Sequence, residues 1–431
     1  MCIINNVFYY MNDTVYFPKV LLLDFSFDNT TGMGVTLTNL FKDWPVDRVG
    51  VMSDRVNPDL CNSIRPCSSY IGVSKSISVQ TNKAKARVIA PQNRVRKVIR
   101  NVYHRLGIDE LNYKPYIHPH NIEAMKSFAP DIVFCGLGNL NRMKLCMKIH
   151  ELLPKSKVVL YIVDDWVNSR VSEKWPSFIW KQRYDKAFRK ILSFSSGNVS
   201  ICQEMSDAYK ERYGVRFVPF HNPVDVSFWE SLCPPKKYGP DTVSLLYVGK
   251  INADTEDCLI DCCKIVESLN KEGKSIRFDV YSPDYQLKHN LFDKYKNCSL
   301  FPPIPHEEIP NLTKSYTSLF LTLGFSKHSV KYVKLSMPTK LSEYLASGLP
   351  VVLYCSNEIA LYHYIYAMDC AFTCCMRTED KLKQTILRLF DERDSSRVVS
   401  NALAVANKHD VGIVRTAFLD TLKSFDQTEG F

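Results

Sequence analysis

Within MPTKLSEYLASGLPVVLY, residues 337–354, one acid stands in an otherwise apolar helical pattern: Glu343. Pro338 suits the first turn of a helix, Leu341 and Leu345 sit four apart on its core face, and Gly348 supplies the left-handed residue that ends it. Glu343 lies two residues from each leucine, on the other face. Such an acid is often only a solvated helix residue, but Ser336, Thr339 and Lys340 crowd the opening turn of the same helix. Hydroxyls and an ammonium beside the free N–H groups of a helix start make a site for an anion. One turn deeper, the Glu343 carboxylate is placed to accept hydrogen bonds from a ribose attached to that anion.

Other candidates lie in the first half of the chain. Gly32 and Gly34 follow the apolar run KVLLLD (19–24) and precede VTLTNLF, so they let backbone approach a ligand at a helix start or simply make a tight turn. Asp164, Asp165 and Trp166 follow KVVLYIV (157–163). Adjacent acids at the end of a strand point to opposite sides, so one of them can face a cleft and the other can cap a helix. His118, His120 and His221 stand in turn-like settings and are weaker candidates. The fifteen cysteines are odd in number and scattered, without a CxxC spacing, which argues against both a zinc site and a disulfide framework. No Asp-x-Asp metal motif is evident at a strand edge, and no metal or other cofactor is expected.

The elements that must position these residues repeat. KVLLLD, DIVFC (131–135), KVVLYIV and VSIC (199–202) read as buried strands, each followed by a helical pattern. A second series runs SLLYVG (244–249), IRFDVY (276–281), SLFLTL (318–323) and VVLY (351–354). Strands alternating with helices imply doubly wound parallel sheets, and 431 residues with 45% hydrophobic content suffice for two. The expected organisation is an N-terminal extension (1–18), a first α/β domain (19–232), a proline-rich linker (233–241) and a second α/β domain (242–431), with its last helix a candidate to return to the first. Ligands bind in such sheets beyond the strand ends, here in a cleft between the two domains.

With these residues in view, PTKLSEYLASGLPVV resembles the nucleotide-sugar motif of GT-B glycosyltransferases of family four, the glycosyl transferases group 1, of the bacterial surface-polysaccharide type. LLYVGKI is similar to the strand and turn that open that family's second domain, SICQEMSDAYKERYGVRFVPFHNPVD to the stretch that closes its first, and GMGVTLTNLF to its first glycine loop. The resemblance implies two Rossmann-like domains facing across a cleft and a hexosyltransferase acting on a nucleoside diphosphate sugar. Glu343 is then the ribose carboxylate, with Pro338, Thr339 and Lys340 beside it. Lys250, after Gly249, stands in place of the family's phosphate-binding arginine. The loop of Asp164 and Asp165 corresponds to the acceptor side, where Asp165 is the preferred acid for the incoming hydroxyl. Two departures stand out: the family's paired acid falls at Leu335 and its second basic residue at Thr255. Lys340, or one of Lys327, Lys331 and Lys334, must then meet the remaining phosphate charge.

The formal net charge of +10 is concentrated. Between Thr81 and Gly107 stand Lys83, Lys85, Arg87, Arg94, Arg96, Lys97, Arg100 and Arg105, with no acid. Val95, Val98, Ile99, Val102 and Leu106 recur there at helical spacing, so the basic side chains, Arg94, Arg96, Lys97 and Arg100 among them, decorate the other face of a helix. A basic helix in the acceptor domain suits an anionic membrane surface and a glycan or lipid-linked acceptor. Nucleic acid is not an expected partner, since no recognised module or aromatic-basic interleaving appears. The N-terminus has no signal-peptide pattern and no run is long enough to span a bilayer, so a cytoplasmic protein, peripheral at the inner face of the plasma membrane, is expected. Two rivals stay open: a nucleotide-sugar epimerase on the same fold, and a nucleotide-sugar-binding protein without catalysis.

Overall fold

The computed structural model describes residues 15–29, 31–54, 58–73, 94–232 and 241–427. Most of the expected extension, linker residues 233–240, and Lys83, Lys85 and Arg87 lie outside these. The short apolar runs form two parallel sheets. The first comprises β1 (Val20–Leu23), β2 (Val49–Met52), β3 (Ser69–Ile71), β4 (Ile132–Gly136), β5 (Lys157–Ile162), β6 (Ser195–Ser200) and β7 (Val218–Pro219), in the order β3-β2-β1-β4-β5-β6-β7. The second comprises β8 (Thr242–Val248), β9 (Ser275–Tyr281), β10 (Cys298–Phe301), β11 (Ser318–Thr322), β12 (Val351–Tyr354) and β13 (Phe372–Cys374), ordered β10-β9-β8-β11-β12-β13. Every residue of β1, β2, β11 and β12 is buried, as helices on both faces of a parallel sheet require.

In each sheet the order reverses once, between β1 and β4 and between β8 and β11. These switch points open a crevice beyond the strands' carboxyl ends. Asp24 and the glycine helix Gly32–Phe41 follow β1, while Gly249 and Lys250 follow β8, so the candidate residues stand at the two crevices.

Several elements differ from expectation. The helix expected near 286–296 is a single turn, Tyr285–Lys288. Strand β6 begins at Ser195, earlier than VSIC suggests, because Ser195, Ser196 and Gly197 carry no apolar signal; Gly197 instead leaves room for Phe425. The basic helix forms over Arg94–Arg105, and its Ile99 and Val102 are 61% and 52% exposed, uncovered by any of the described residues.

The last helix, Val411–Gln427, leaves the second sheet and covers the first. Phe418 inserts among Phe41, Phe134 and Phe220 at ring-centroid distances of 5.4, 5.8 and 5.5 Å. Arg415 adds an ion pair with Asp43 at 2.9 Å. Edge-to-face packing of a fully buried ring makes this side chain an anchor rather than a filler. Phe418→Ala is expected to lower stability by about 3–5 kcal/mol in urea unfolding; a loss below about 1 kcal/mol would show that the helix is not what secures the first domain.

Candidate active site

The segment read first in the sequence forms the helix Lys340–Ala346, which starts two residues after Pro338. Pro338 thus precedes the helix rather than opening it, and its carbonyl accepts from the Leu341 N–H at 3.1 Å. Leu341 and Leu345 are buried, and Gly348 ends the helix at a φ of +67°. The helix is fastened to the end of β8 by two side chains. The Val248 N–H donates to the Tyr344 hydroxyl at 3.1 Å, and Lys340 Nζ donates to the Val248 carbonyl at 3.3 Å while lying 4.2 Å from the Tyr247 ring centroid. Burial pushes the Lys340 ammonium down to about 8, against the pull of Glu343. A Cβ on Gly249 would come within 2.8 Å of Lys340 Nζ, so the glycine is what lets this ammonium reach the β8 turn. Lys250 is exposed on the same turn.

Glu343 is not solvated. Its Oε1 lies 2.6 Å from Nε2 of His306, a residue on the turn that follows β10. The hydrogen bond to Glu343 raises the His306 pKa above its ordinary value. His306 is a functional candidate that sequence reading missed. Its signal was weak, a histidine in a Pro-flanked turn just past a strand, and only the sheet order brings that strand's end to the helix.

Across the cleft a cavity of about 310 Å³ is lined by Thr31, Gly34, Arg142, Tyr161, Asp164 and Trp166 of the first domain and by Tyr332 of the second. The Tyr161 hydroxyl and Trp166 Nε1 are buried donors with no hydrogen-bond partner among the described residues. Asp24, paired with Arg142, also lines the cavity and holds a φ of +58°, a conformation that a non-glycine residue adopts at a cost and that concentrates at functional sites. Asp164 is the acid that faces this space. It accepts from Ser336 Oγ of the second domain at 2.6 Å.

The preference for Asp165 is therefore reversed. Asp165 is buried behind the strand end, where Arg212 pairs with both of its oxygens at 2.8 and 2.9 Å and Tyr209 and Asn168 donate to it at 3.2 and 2.9 Å. Alternation along the chain put one acid on each side, and the pairing with Arg212 decided which. Gly34 has a local reason as well: a side chain there would collide with the Asp28 carboxylate, which accepts from the Thr31 N–H at 2.6 Å. Thr255 stands where a second basic residue was sought and closes a capping box with Asn252. Leu335 is buried, its carbonyl accepting from Cys202 Sγ. His118 caps the helix Pro119–Phe128, and His221 stacks on His409 at 4.5 Å, where burial pushes its pKa down to about 3. Neither reaches the cleft residues described above. Among the described residues no cluster of His, Cys, Asp or Glu could hold a metal ion.

Contacts between the domains set the register of the cleft. Asn222, buried, accepts from Thr36 Oγ1 at 2.6 Å, donates through Nδ2 to the Met337 carbonyl at 3.2 Å, and receives Ser342 Oγ on its own carbonyl at 2.7 Å. Gly32 faces Thr339 so closely that a Cβ would lie 3.0 Å from the threonine methyl. The glycine helix and the start of the Lys340–Ala346 helix thus meet with only the Thr339 side chain between them.

No family model and no curated protein matches this chain. Solved structures do. Anabaena HepE in complex with UDP-glucose superposes with a TM-score of 0.61 at 13% identity, covering 94% of this chain and 100% of its own. A trehalose-6-phosphate structure from E. coli bound with UDP-2-fluoro glucose gives 0.63 at 8%, over 96% and 100%. The sucrose-phosphate synthase of Thermosynechococcus elongatus gives 0.60 at 11%, over 94% and 98%. The fold is GT-B. At these identities the likeness concerns the fold alone.

The two acids of the strand-end loop separate by experiment. Asp165→Asn is expected to lose about 2–3 kcal/mol of stability as Arg212 loses its charged partner, whereas Asp164→Asn should unfold within about 0.5 kcal/mol of the parent. Equal losses in thermal or urea melts would remove the distinction.

Proposed function

We propose that the protein is a glycosyltransferase that moves a sugar from a nucleoside diphosphate sugar to a glycan or lipid-linked acceptor. What carries the reading is the meeting of Glu343, Lys340 and the Gly249-Lys250 turn at one strand-end crevice, opposite the Asp164 cavity at the other. The resemblance of the 337–354 segment to family four, and neighbours whose titles name UDP-glucose and UDP-2-fluoro glucose, support it.

In this reading Glu343 accepts the ribose hydroxyls once His306 gives way. Lys340 and Lys250 balance the charge that develops on the diphosphate as the sugar leaves, the electrostatic task that usually contributes most in such a site. A lysine supplies that charge without the fork of an arginine. Two ammonium groups do here what a divalent ion does elsewhere, so the transfer is expected to survive chelation. Asp164 takes the hydrogen bond of the attacking acceptor hydroxyl, and the free donors of Tyr161 and Trp166 suit an acceptor rich in oxygen. Retention at the anomeric carbon, a place in cell-surface polysaccharide assembly and a position at the inner face of the plasma membrane follow from the family resemblance. Among the described residues no helix is long and apolar enough to cross a membrane.

A thermal-shift panel of UDP, GDP, ADP and CMP is the direct check. One diphosphate at a hundred times its dissociation constant should stabilise the parent by about 2.7 kcal/mol, and Glu343→Ala should lose most of that shift without losing its own fold. An unchanged shift in the variant would return Glu343 to an ordinary helix acid.

The His306 contact adds a pH signature. Its folded pKa is raised, so the ion pair with Glu343 is fully present below the ordinary value of 6.5 and is lost as pH rises through the raised value. Nucleotide affinity should therefore increase with pH over the interval above 6.5, and His306→Gln should flatten that dependence in calorimetric titrations. The same slope in both proteins would show that His306 does not gate Glu343.

A further inference from the structure

A second concavity, of about 560 Å³, lies on the other side of the helical turn Trp166–Ser169 from the cleft cavity. Trp166 and Ser169 line the cleft, while Val167 and Asn168 line this groove. Its charged lining is Asp165, Lys181, Arg212, Lys331 and Lys334. Arg212 is taken up by Asp165, so three ammonium groups face the groove with no acid among its lining residues left to pair them. Among the described residues no hydrogen bond or ion pair engages the Lys181, Lys331 or Lys334 ammonium. Lys181 belongs to the helix Ser177–Leu192 of the first domain, whereas Lys331 and Lys334 belong to the second, on and just after the helix Lys327–Val333. Closing the domains brings these like charges to one groove, which opposes closure unless an anion sits between them.

The rim of the groove is apolar and exposed. Phe178 lines it and is 65% exposed, and Trp175, three residues earlier, is 63% exposed. The Trp175 N–H donates to the Arg105 carbonyl at 2.8 Å, which joins this rim to the basic helix and its exposed Ile99, Val102 and Tyr103. The junction is rigid. Lys174, buried, pairs with Glu110 at 3.1 Å, and Tyr184 donates to the same carboxylate at 2.6 Å. Exposed large apolar side chains beside unpaired cations, with Trp and Tyr among them, suit the interface of an anionic bilayer, where rings enter the headgroup layer and ammonium groups meet phosphate.

We propose that this groove binds the phosphate of an anionic membrane amphiphile and that its occupation favours the closed arrangement of the two domains. The proposal rests on the donor-binding reading above, because closure is what unites Asp164 with the donor side. By linkage, whatever the amphiphile adds to closure it adds to nucleotide affinity, and nucleotide adds the same factor to membrane affinity. A lipid surface thereby becomes an activator of the cleft as well as an anchor.

The test compares the full-length parent with Lys181→Gln/Lys331→Gln/Lys334→Gln, using vesicles of phosphatidylcholine with and without phosphatidylglycerol. The parent should co-sediment with the anionic vesicles and bind UDP several-fold more tightly in their presence. The triple variant should lose on the order of tenfold or more in vesicle affinity and show no vesicle effect on UDP, and Lys181→Gln alone, at a residue outside the phosphate candidates, should lose several-fold in vesicle affinity while its UDP affinity without vesicles equals the parent's. Arg94→Gln/Arg96→Gln/Lys97→Gln/Arg100→Gln is the control for the basic helix: weaker vesicle binding with the UDP enhancement intact at saturating lipid supports a separate groove. Inorganic pyrophosphate distinguishes the source of the phosphate. If it raises the thermal midpoint through the three lysines while vesicles do nothing, the amphiphile is overturned. Vesicle binding by the triple variant equal to the parent's overturns the groove, as does UDP affinity in the parent that vesicles leave unchanged. Failure of UDP to bind the parent at all, with or without lipid, is a different result: it removes the donor reading and the coupling together, and vesicle affinity then reports on the groove alone.

Discussion

A single buried asparagine holds the two halves of this molecule in register. Asn222 reaches the glycine helix through Thr36 and the 337–346 segment of the second domain through Met337 and Ser342. Both amide groups and the backbone carbonyl are used, so any relative sliding of the domains at this point strips hydrogen bonds from groups that water cannot reach. The approach of Gly32 to Thr339 and the Ser336 hydrogen bond to Asp164 lie on the two sides of this point and depend on the same register. The cleft is therefore a consequence of a buried polar network rather than of two surfaces that happen to face each other.

Around that fixed point the charges are distributed unequally. Lys340 is drawn into a half-buried position against Tyr247 and the end of β8, and Glu343 is occupied by His306. The ammonium groups of Lys250 on the cleft side, and of Lys181, Lys331 and Lys334 on the far side of the Trp166–Ser169 turn, have no partner among the described residues. An electrostatic surplus of this kind destabilises the closed protein alone and favours it with an anion bound. Asp165 and Arg212 show the opposite design, a pair that satisfies itself and fixes the loop from which Asp164 projects.

Much of the architecture was legible because parallel strands buried on both faces are continuous apolar runs, and VLLL, VVLY and SLFLT announce themselves. Strands without that signature did not: β6 begins in serine and glycine, and β10 and β13 are short and mixed. The helical spacing of Ile99 and Val102 marks the helix, while both side chains stay exposed. Amphipathic periodicity states that a helix has an apolar side, not what covers it.

The sequence by itself determined the two parallel sheets, the glycine stop at Gly348 and the candidate groups whose chemistry suits a diphosphate and a ribose, because strand burial, αL geometry and side-chain chemistry are local properties. Which acid of Asp164 and Asp165 faces the cleft, that His306 sits on Glu343, and that lysines from both domains share one groove were decided by the tertiary structure alone. Each depends on residues far apart in the chain, Arg212 against Asp165, β10 against the Lys340–Ala346 helix, Lys181 against Lys331. Spacing carries no information about such pairs until the sheets have set their order.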